Sequence, residues 1–489
     1  MGENDMRGRT ARLLLCAIGL ALAGPAAGQA GTAPARPNIL IIYADDMAYG
    51  DLSANGAGAW VETPNLDALV ASGVRFTNGY SAAPVCGPSR VALLTGAYPA
   101  RYGAWWNPDT GKVKIPDARL LPAVLGEAGY ATAVVGKWNL PNDPARSAHT
   151  VVDKMTWGGR YWPNPDGSYT GVGKGSGAEG GDSGKWDVSR PDNLYLTDRL
   201  TENALSFLDK RDPEKPFFLY LAYNAPHSPL EAAERFKDRV AHLDSEPKRL
   251  YAAMVLALDE GVGRVREALA QHGLDKNTIV VFASDNGPAK SDFRGYQPDW
   301  PDEILGARGV LSGEKGTFRE GGVREPFVVS WPGVIAAGQV RDEPVITIDL
   351  YRTLIGLAGS TAPQSAVPFD GSDLMPLLTG KAGLAERDLL WAGRICKAKK
   401  GCVDSGALRR GRWKLLIEQG GKPKLFDLNA DPSEKRNLAS ANPALRDAMT
   451  ASYARWKATL PTNASGTAGK PKPAKGKGKR GERDAGGDE

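Results

Sequence analysis

Two apolar runs of the sequence end in side chains that bind hard metal ions. The run Asn38–Ala44 is followed by Asp45 and Asp46, and the run 278–283 is followed by Ser284-Asp285-Asn286-Gly287. Carboxylate and amide oxygens suit Ca²⁺, with Mg²⁺ as the weaker alternative. Acidic strand ends also cap helices or form turns, and that explanation is plausible for each pair alone. Together the two pairs make a candidate cation site.

The cysteines offer a second kind of chemistry. The sequence has four, and Cys16 lies in the amino-terminal stretch. Cys396 and Cys402 bracket a basic turn at a spacing that an oxidising compartment could close into a disulfide loop. Cys86 is then left over, and a leftover cysteine in an exported protein is either buried and inert or chemically special. The cysteine count alone favours the inert interpretation.

The apolar runs have the pattern of strands that are covered on both faces. Segments with helical spacing alternate with them along the chain, at 65–72, 121–128, 197–208 and 250–268, and further apolar runs lie at 132–135 and 217–222. This alternation predicts an α/β fold with a large, mostly parallel sheet flanked by helices. Ligands of such sheets bind beyond the carboxyl ends of the strands, so the two acidic strand ends point towards one site.

The pattern of predicted secondary structure changes near residue 386. Short strand-like pieces at 389–392 and 413–417 and a helix-like stretch at 443–460 follow, which predicts a smaller C-terminal α+β subdomain with a small antiparallel sheet and a helix. Beyond it, a stretch rich in Lys, Gly, Pro and Ala has almost no apolar side chains that could offset the cost of ordering it. The predicted signal peptide, catalytic domain, subdomain and disordered tail comprise residues 1–30, 36–385, 386–460 and 461–489.

The amino-terminal segment has the three-part pattern of a secretory signal peptide, with arginines before the apolar run 13–22 and small residues after it. The run is too short to cross a bilayer, so we expect an exported, periplasmic or extracellular protein without a membrane span. The 489 residues are 42% apolar and 24% charged, as in ordinary globular proteins. Most of the net charge of +5 comes from the two ends of the chain, so no nucleic-acid partner is predicted.

The segment 86–96 resembles the sulfatase signature C-x-P-S-R-x-x-x-L-T-G, with every fixed position present. Other motifs appear in the order of the same family: Thr63-Pro64-Asn65-Leu66-Asp67, Gly136-Lys137-Trp138, Ala225-Pro226-His227, Lys315-Gly316, Glu320-Gly321-Gly322-Val323-Arg324, Trp413-Lys414-Leu415 and Leu425-Phe426-Asp427-Leu428. The resemblance extends from about residue 37 to residue 438. The chain is thus similar to the formylglycine-dependent (type I) sulfatases of the alkaline-phosphatase-like superfamily.

This resemblance implies that a maturation enzyme oxidises Cys86 to formylglycine (3-oxoalanine), whose hydrate supplies the attacking oxygen. The implied ligands of a Ca²⁺ ion, or less readily Mg²⁺, are Asp45, Asp46, Cys86, Asp285 and Asn286. Arg90 would orient the hydrated aldehyde. Lys137 and Lys315 would bind sulfate oxygens, and His227 or Lys315 would donate a proton to the leaving alcohol.

At one position of the implied site the sequence departs from the family. The family motif is Gly-Lys-Trp-His, whereas this chain has Gly136-Lys137-Trp138-Asn139. The family's histidine helps to remove a proton when the covalent adduct collapses, and an amide cannot act as a base at neutral pH. We expect Asn139 only to orient the diol, with another group or water as the base.

The sequence therefore predicts hydrolysis of sulfate monoesters on a carbohydrate. Trp105, Trp106 and the aromatic residues of the glycine-rich segment 161–186 suit sugar rings, although core packing explains the same tryptophans equally well. An aryl sulfatase, or a phosphonate or phosphate ester hydrolase of the same superfamily, is the nearest alternative. A silent binder of sulfated polymers is a third hypothesis, but the complete set of candidate ligands and lysines argues against it.

Overall fold

The computed structural model describes residues 36–155, 159–165, 168, 194–291, 300, 302–361, 363–397 and 401–461. The predicted signal peptide, residues 169–186 of the glycine-rich segment and the predicted tail beyond 461 lie outside the described residues.

The described strands are β1 (Asn38–Ala44), β2 (Val74–Phe76), β3 (Gly79–Tyr80), β4 (Ala131–Lys137), β5 (Thr150–Met155), β6 (Phe217–Ala222), β7 (Thr278–Ser284), β8 (Phe327–Ser330), β9 (Gln339–Arg341), β10 (Val345–Ile346), β11 (Asp388–Lys397), β12 (Gly401–Arg410), β13 (Trp413–Ile417) and β14 (Lys424–Asp427). The helices are α1 (Pro64–Ala71), α2 (Cys86–Thr95), α3 (Asn107–Thr110), α4 (Leu121–Glu127), α5 (Leu196–Lys210), α6 (Lys237–Val240), α7 (Glu246–Gln271), α8 (Glu320–Val323), α9 (Ile348–Leu357), α10 (Met375–Leu378) and α11 (Pro443–Lys457). None of these helices has the length and apolar character that crossing a membrane requires.

Eight of the described strands form one sheet, in the order β5-β4-β6-β1-β7-β8-β2-β9. Strand β1 lies between β6 and β7 and is parallel to both, and β4 is parallel to β5 and β6. Strand β8 runs antiparallel to its two neighbours, β7 and β2. The mostly parallel sheet predicted from the sequence is therefore confirmed.

Different helices cover the two faces of this sheet. Every residue of β1 is buried, and its side chains alternate between two apolar clusters. Leu40 and Ile42 pack with residues of α1, α5 and α7, whereas Ile39 and Ile41 pack with residues of α2, α4 and α9. A strand that is covered on both faces needs apolar side chains at every position, which is why the run shows no polar alternation.

The parallel strands bring the predicted site residues to one edge of the sheet. Ala44 at the end of β1 is in register with Ser284 at the end of β7. The next residues are also close, because the Asp285 amide donates a hydrogen bond of 3.1 Å to the Ala44 carbonyl. Lys137 is the last residue of β4, two strands away in the same sheet. The carboxyl ends of these strands thus meet as the sequence predicts.

Strands β11 to β14 form a four-stranded antiparallel sheet in chain order, called here the C-terminal sheet. Helix α11 packs on it through Met449 and Tyr453, in an apolar cluster that also contains Tyr80 and Phe318 of the preceding chain. The sequence predicted only 389–392 and β13 as strands here. The hairpin of β11 and β12 is longer because polar cross-strand pairs continue it beyond the apolar positions. The boundary at residue 386 stays a prediction.

The two cysteines of the predicted disulfide lie in this hairpin. Cys402 is disulfide-bonded, and the strand register places Cys396 directly opposite it. The side chain of Cys396 is not among those described. The register agrees with the predicted pairing, which stays a prediction.

Candidate active site

Cys86 is the first residue of α2, and Pro88 lies in the first turn of this helix, where a proline is tolerated. It is 2% exposed, and its thiol is free. Burial raises the pKa of this thiol, although Lys137 and Lys315 oppose the shift. Since the thiolate is the nucleophilic form of cysteine, the sulfur atom itself is poorly suited to attack a substrate.

Cys86 belongs to a group of side chains whose oxygen, nitrogen and sulfur atoms could hold a cation. Ligand atoms of Asp45, Asp46, Cys86 and His227 lie within 4.8 Å of one another, and all four residues are buried. Asp45 Oδ1 and Asn286 Oδ1 are buried and have no hydrogen-bond partner among the described residues. Buried acceptors of this kind are costly unless a ligand binds them, and carboxylate and amide oxygens are those that Ca²⁺ takes. The residues present therefore fit a hard cation.

The observed group contains three of the predicted ligands, Asp45, Asp46 and Cys86, and adds His227, whereas the predicted ligands Asp285 and Asn286 are not among its members. Asp285 lies beside it: Oδ1 accepts a 3.3 Å hydrogen bond from the Asp46 amide, and Oδ2 accepts one of 2.7 Å from Arg90. The Asn286 side-chain amide donates to Asp46 Oδ1 at 2.6 Å. His227 Nε2 lies 3.7 Å from Asp46 Oδ2, so this residue is also a ligand candidate, whereas the sequence suggested it as a proton donor and substrate contact.

Three buried cations face these carboxylates. Lys137 Nζ forms an ion pair with Asp45, and Lys315 Nζ lies 2.6 and 2.8 Å from the two oxygens of Asp46. Arg90 donates a 2.9 Å hydrogen bond to the backbone carbonyl of Lys137, in addition to its bonds to Asp285. Each lysine that the sequence assigns to an anion thus contacts a carboxylate that it assigns to a cation. The site therefore has negative side chains that can bind a cation and positive side chains that can bind an anion.

The surrounding charges move the acidic groups in opposite directions. Burial alone would raise the pKa of Asp45, but Lys137, His227 and Arg90 outweigh it and hold the pKa well below its usual range. Burial and the nearby Asp45 raise the pKa of Asp285 to about 7. The 2.7 Å ion pair with Arg90 opposes this shift and favours the ionised form of Asp285.

His227 is placed as an acceptor rather than as an acid. Burial and the charge of Lys315 lower the pKa of His227 to about 4, so its ring is neutral at neutral pH. Nδ1 lies within hydrogen-bond distance of the Ser228 carbonyl, which places the proton of the neutral ring there. Nε2 then presents a lone pair towards Asp46 and the ligand group. This arrangement favours Lys315 over His227 as the proton donor to a leaving group.

Two residues of the site have left-handed backbone conformations. Asp46 has φ = 68° and Asn139 has φ = 53°, and both are buried. Asp and Asn tolerate this region better than most side chains, and such residues are concentrated at functional sites. The residue that departs from the family motif thus occupies a constrained position just after Lys137.

The two neighbouring tryptophans have different environments. Trp105 is buried, and the Arg394 guanidinium lies 4.9 Å from its ring centre. Trp106 is half-buried, and its ring lies 3.5 Å from the position that a Cβ would take on Gly316, next to Lys315. Of the predicted sugar-stacking pair, Trp106 is therefore the one beside the site, whereas Trp105 belongs to the core.

Comparisons with known proteins agree with this geometry. Residues 37–360 match the family model described as Sulfatase, and residues 313–453 match that of the N-sulphoglucosamine sulphohydrolase C-terminal region. N-acetylgalactosamine-6-sulfatase of Mus musculus is 36% identical over 400 residues, which are 78% of this chain and 71% of that protein. Arylsulfatase A of Homo sapiens is 32% identical over 490 residues, with 89% of each chain covered. The crystal structure of Ps i-CgsB with k-i-k-neocarrahexaose has a TM-score of 0.74 at 30% identity, covering 87% of this chain and 94% of that one.

Proposed function

Since this chain belongs to the sulfatase family and is a sulfuric ester hydrolase, we propose that it removes sulfate monoesters from a carbohydrate. A formylglycine made from Cys86 would be the nucleophile, and a Ca²⁺ ion would be held beside it. One observation carries the proposal. A buried group of Asp45, Asp46, Cys86 and His227 that can bind a cation lies against Lys137 and Lys315, which can bind an anion.

The proposed metal ligands are Asp45, Asp46, residue 86, Asp285 and Asn286, with His227 as a further candidate. When bound, Ca²⁺ would polarise a sulfate oxygen and favour the attacking oxygen in its deprotonated form. The orphaned oxygens of Asp45 and Asn286 support this assignment.

A hydrated aldehyde at residue 86 would supply two hydroxyl groups. One would attack sulfur, and deprotonation of the other would release sulfate and restore the aldehyde. A serine has a single hydroxyl group and could not follow this route. The amino terminus of α2 favours negative charge at this position. Lys137 and Lys315 would neutralise the sulfate oxygens, and Lys315 would protonate the leaving alcohol. Arg90 would keep Asp285 and the end of β4 in place through its hydrogen bonds.

A carbohydrate is the proposed substrate for two reasons. The relatives include N-acetylgalactosamine-6-sulfatase and a protein bound to k-i-k-neocarrahexaose. In this chain, the half-buried ring of Trp106 lies beside Gly316 and Lys315, where an apolar face could stack on the sugar that carries the sulfate.

The proposal includes export and a maturation partner. The predicted signal peptide would direct the chain to the periplasm or the extracellular space. An enzyme that generates formylglycine would have to act on Cys86 before the site is closed, because this cysteine is buried in the folded chain.

The deciding experiment is mass spectrometry of the peptide around Cys86, from protein made in its native host and alkylated to trap any free thiol. We expect the aldehyde or its hydrate at residue 86. The same protein should then hydrolyse a 4-nitrophenyl sulfate faster than the matching phosphate and phosphonate esters, with the activity lost in Cys86→Ala. Faster turnover of the phosphorus esters would replace the proposal by the alternative hydrolase. Binding of a sulfated polymer by the matured protein without turnover would replace it by a silent binder.

The carbohydrate preference has its own test. Trp106→Ala should raise KM for a sulfated oligosaccharide by about tenfold, given the worth of aromatic stacking, and change KM for the small aryl sulfate much less. Trp413→Ala, at another half-buried tryptophan, is the matched control and should leave the ratio of the two KM values unchanged. Equal effects of Trp106→Ala on both substrates would contradict stacking on a sugar.

A further inference from the structure

The loop that carries Lys315 is held at both ends by one side chain of the C-terminal region. Glu434, which follows β14, is buried, and its Oε2 accepts a 2.9 Å hydrogen bond from Ser312 Oγ and one of 2.7 Å from the Glu320 amide. Ser312 and Glu320 lie on either side of Lys315 in the chain. A single carboxylate therefore bridges the start and the end of the loop.

A buried ion cluster fixes the position of Glu434. Lys414 Nζ of β13 lies 3.0 Å from Glu434 Oε1 and 2.8 Å from Glu320 Oε1. The other oxygen of Glu320 accepts a 2.7 Å hydrogen bond from the Tyr80 hydroxyl. Lys414 and both glutamates are buried, so moving Glu434 away would leave charges unpaired in the interior.

The loop between the bridged ends is tightly closed. The Gly321 amide donates a 2.6 Å hydrogen bond to the Ser312 carbonyl, and a Cβ on Gly322 would lie only 2.3 Å from the Thr317 carbonyl oxygen. Only glycine allows this close approach of the backbone. A displacement of either end would therefore be transmitted to the centre of the loop.

The centre of the loop enters the active site. The Lys315 amide donates a 2.9 Å hydrogen bond to the Pro288 carbonyl, just after the second acidic strand end. The Gly316 amide donates one of 2.8 Å to the Pro84 carbonyl, two residues before Cys86. The Lys315 ammonium contacts both oxygens of Asp46.

We propose that Glu434 is a positioning residue: through it, the C-terminal sheet sets where the Lys315 ammonium stands in the active site. The inference rests on the proposed role of Lys315 in binding the sulfate group. It assigns to the C-terminal region a part in sulfate recognition that does not require contact with the substrate.

The test is a double-mutant cycle. Glu434→Gln keeps the size of the side chain but removes its charge and one acceptor oxygen. We expect the dissociation constant for inorganic sulfate, measured by calorimetry with Ca²⁺ present, to rise about tenfold, and kcat/KM for an aryl sulfate to fall between about 10- and 100-fold. In a Lys315→Ala background, Glu434→Gln should add little to either loss, because both changes then act on the same interaction.

The matched control is Asp349→Asn, which breaks another buried carboxylate ion pair, with Arg387. It should lower the unfolding temperature but leave the sulfate affinity of the folded protein unchanged. If Glu434→Gln does not fold, Ser312→Ala removes one bond of the bridge and should show a smaller loss with the same dependence on Lys315.

Equal losses from Glu434→Gln with and without Lys315, or an unchanged sulfate affinity, would overturn the positioning role and leave the proposed function intact. Normal sulfate binding by Lys315→Ala alone would instead refute the role of Lys315 in the proposed function, and the positioning role with it.

Discussion

Two clusters of buried charge use the same kinds of side chain but differ in what they leave unpaired. In the active-site cluster, formed by Asp45, Asp46, Asp285, Asn286, Arg90, Lys137 and Lys315, the Oδ1 atoms of Asp45 and Asn286 have no hydrogen-bond partner among the described residues. In the junction cluster, formed by Glu320, Lys414 and Glu434, Glu434 Oε1 also has no hydrogen-bond partner among the described residues, but each carboxylate forms an ion pair with the Lys414 ammonium at 3.0 Å or less.

An unpaired buried acceptor costs about 1–3 kcal/mol, which a fold tolerates where a ligand will supply the missing partner. The active-site cluster therefore has the signature of a binding site, and the junction cluster that of an internal connection. The comparison also shows that burial and charge alone do not distinguish the two. What distinguishes them is how near a cation of the chain lies to an oxygen that has no hydrogen bond: Lys414 Nζ is 3.0 Å from Glu434 Oε1, whereas Arg90 Nη2 is 4.0 Å from Asp45 Oδ1.

The largest effect on stability is expected from the junction cluster. Lys414→Met leaves Glu320 and Glu434 close together without their shared cation, which should lower the free energy of unfolding by about 3–5 kcal/mol. Urea unfolding followed by circular dichroism measures this. Lys422→Met, at an exposed lysine between β13 and β14, is the control and should change stability by less than about 0.5 kcal/mol. A small effect of Lys414→Met would show that this cluster does not connect the loop of Lys315 to the C-terminal sheet.

The second largest effect on stability is expected from Ca²⁺, which should stabilise the active-site cluster but not the junction cluster. At a Ca²⁺ concentration one hundred times its dissociation constant, the free energy of unfolding should rise by about 2.7 kcal/mol, and a chelator should remove both this gain and activity. Lys137→Met removes the ion pair between Lys137 and Asp45, so this variant should be destabilised with chelator present but recover when Ca²⁺ is added.

The deficit of Lys414→Met should stay the same with and without Ca²⁺. A wild-type protein whose unfolding does not respond to Ca²⁺ would contradict the proposed cation site and remove the basis of the comparison.

Glu325 sharpens the comparison because it is a buried carboxyl group with neither oxygen hydrogen-bonded to a described residue. Burial, with added repulsion from Asp285 and Asp46, raises the pKa of Glu325 well above its usual range. The folded state then binds the proton more tightly than the unfolded state. The contribution of Glu325 to the free energy of unfolding is therefore greatest below the unfolded pKa of about 4.3. It falls as pH rises towards the folded pKa, by up to about 1.4 kcal/mol per pH unit.

Glu325→Gln should remove that slope, so that the variant gains stability over the wild type between pH 5 and pH 7 with chelator present. Glu127→Gln, at an exposed glutamate, should leave the slope unchanged. Parallel stability curves for Glu325→Gln and the wild type would mean that Glu325 is ionised in the folded protein.

The smallest effect is expected at Asn139. Asn139→His restores a side chain that can act as a base near neutral pH, so turnover should be retained or rise by a few fold. Steady-state assays with the matured protein measure the change. A loss of turnover with Ca²⁺ and sulfate binding intact would show that the amide has a role that histidine cannot take.

The sheet and its acidic edge could be predicted from local patterns. Continuous apolar runs indicated β1 and β7, and the rule that parallel strands share their carboxyl-end edge brought Asp45 and Asp285 together. Trp105 and Trp106 could not be separated in this way, since adjacent residues with the same side chain differ only in what packs on them. The length of the β11–β12 hairpin was also missed, because polar pairs such as Arg394 and Asp404 hide a strand pattern.

By itself, the sequence determined the fold class, the family motif at Cys86 and the candidate ligands at the strand ends, because each depends on neighbouring residues or on a general rule of sheet topology. Only the tertiary structure decided that His227 faces Asp46 and that Glu434 holds the loop of Lys315. The partners in these contacts are far apart in the chain, since Ser312 and Glu434 are separated by 122 positions. No periodicity or spacing encodes such a distance, since it is fixed by how loops pack once the sheet has formed.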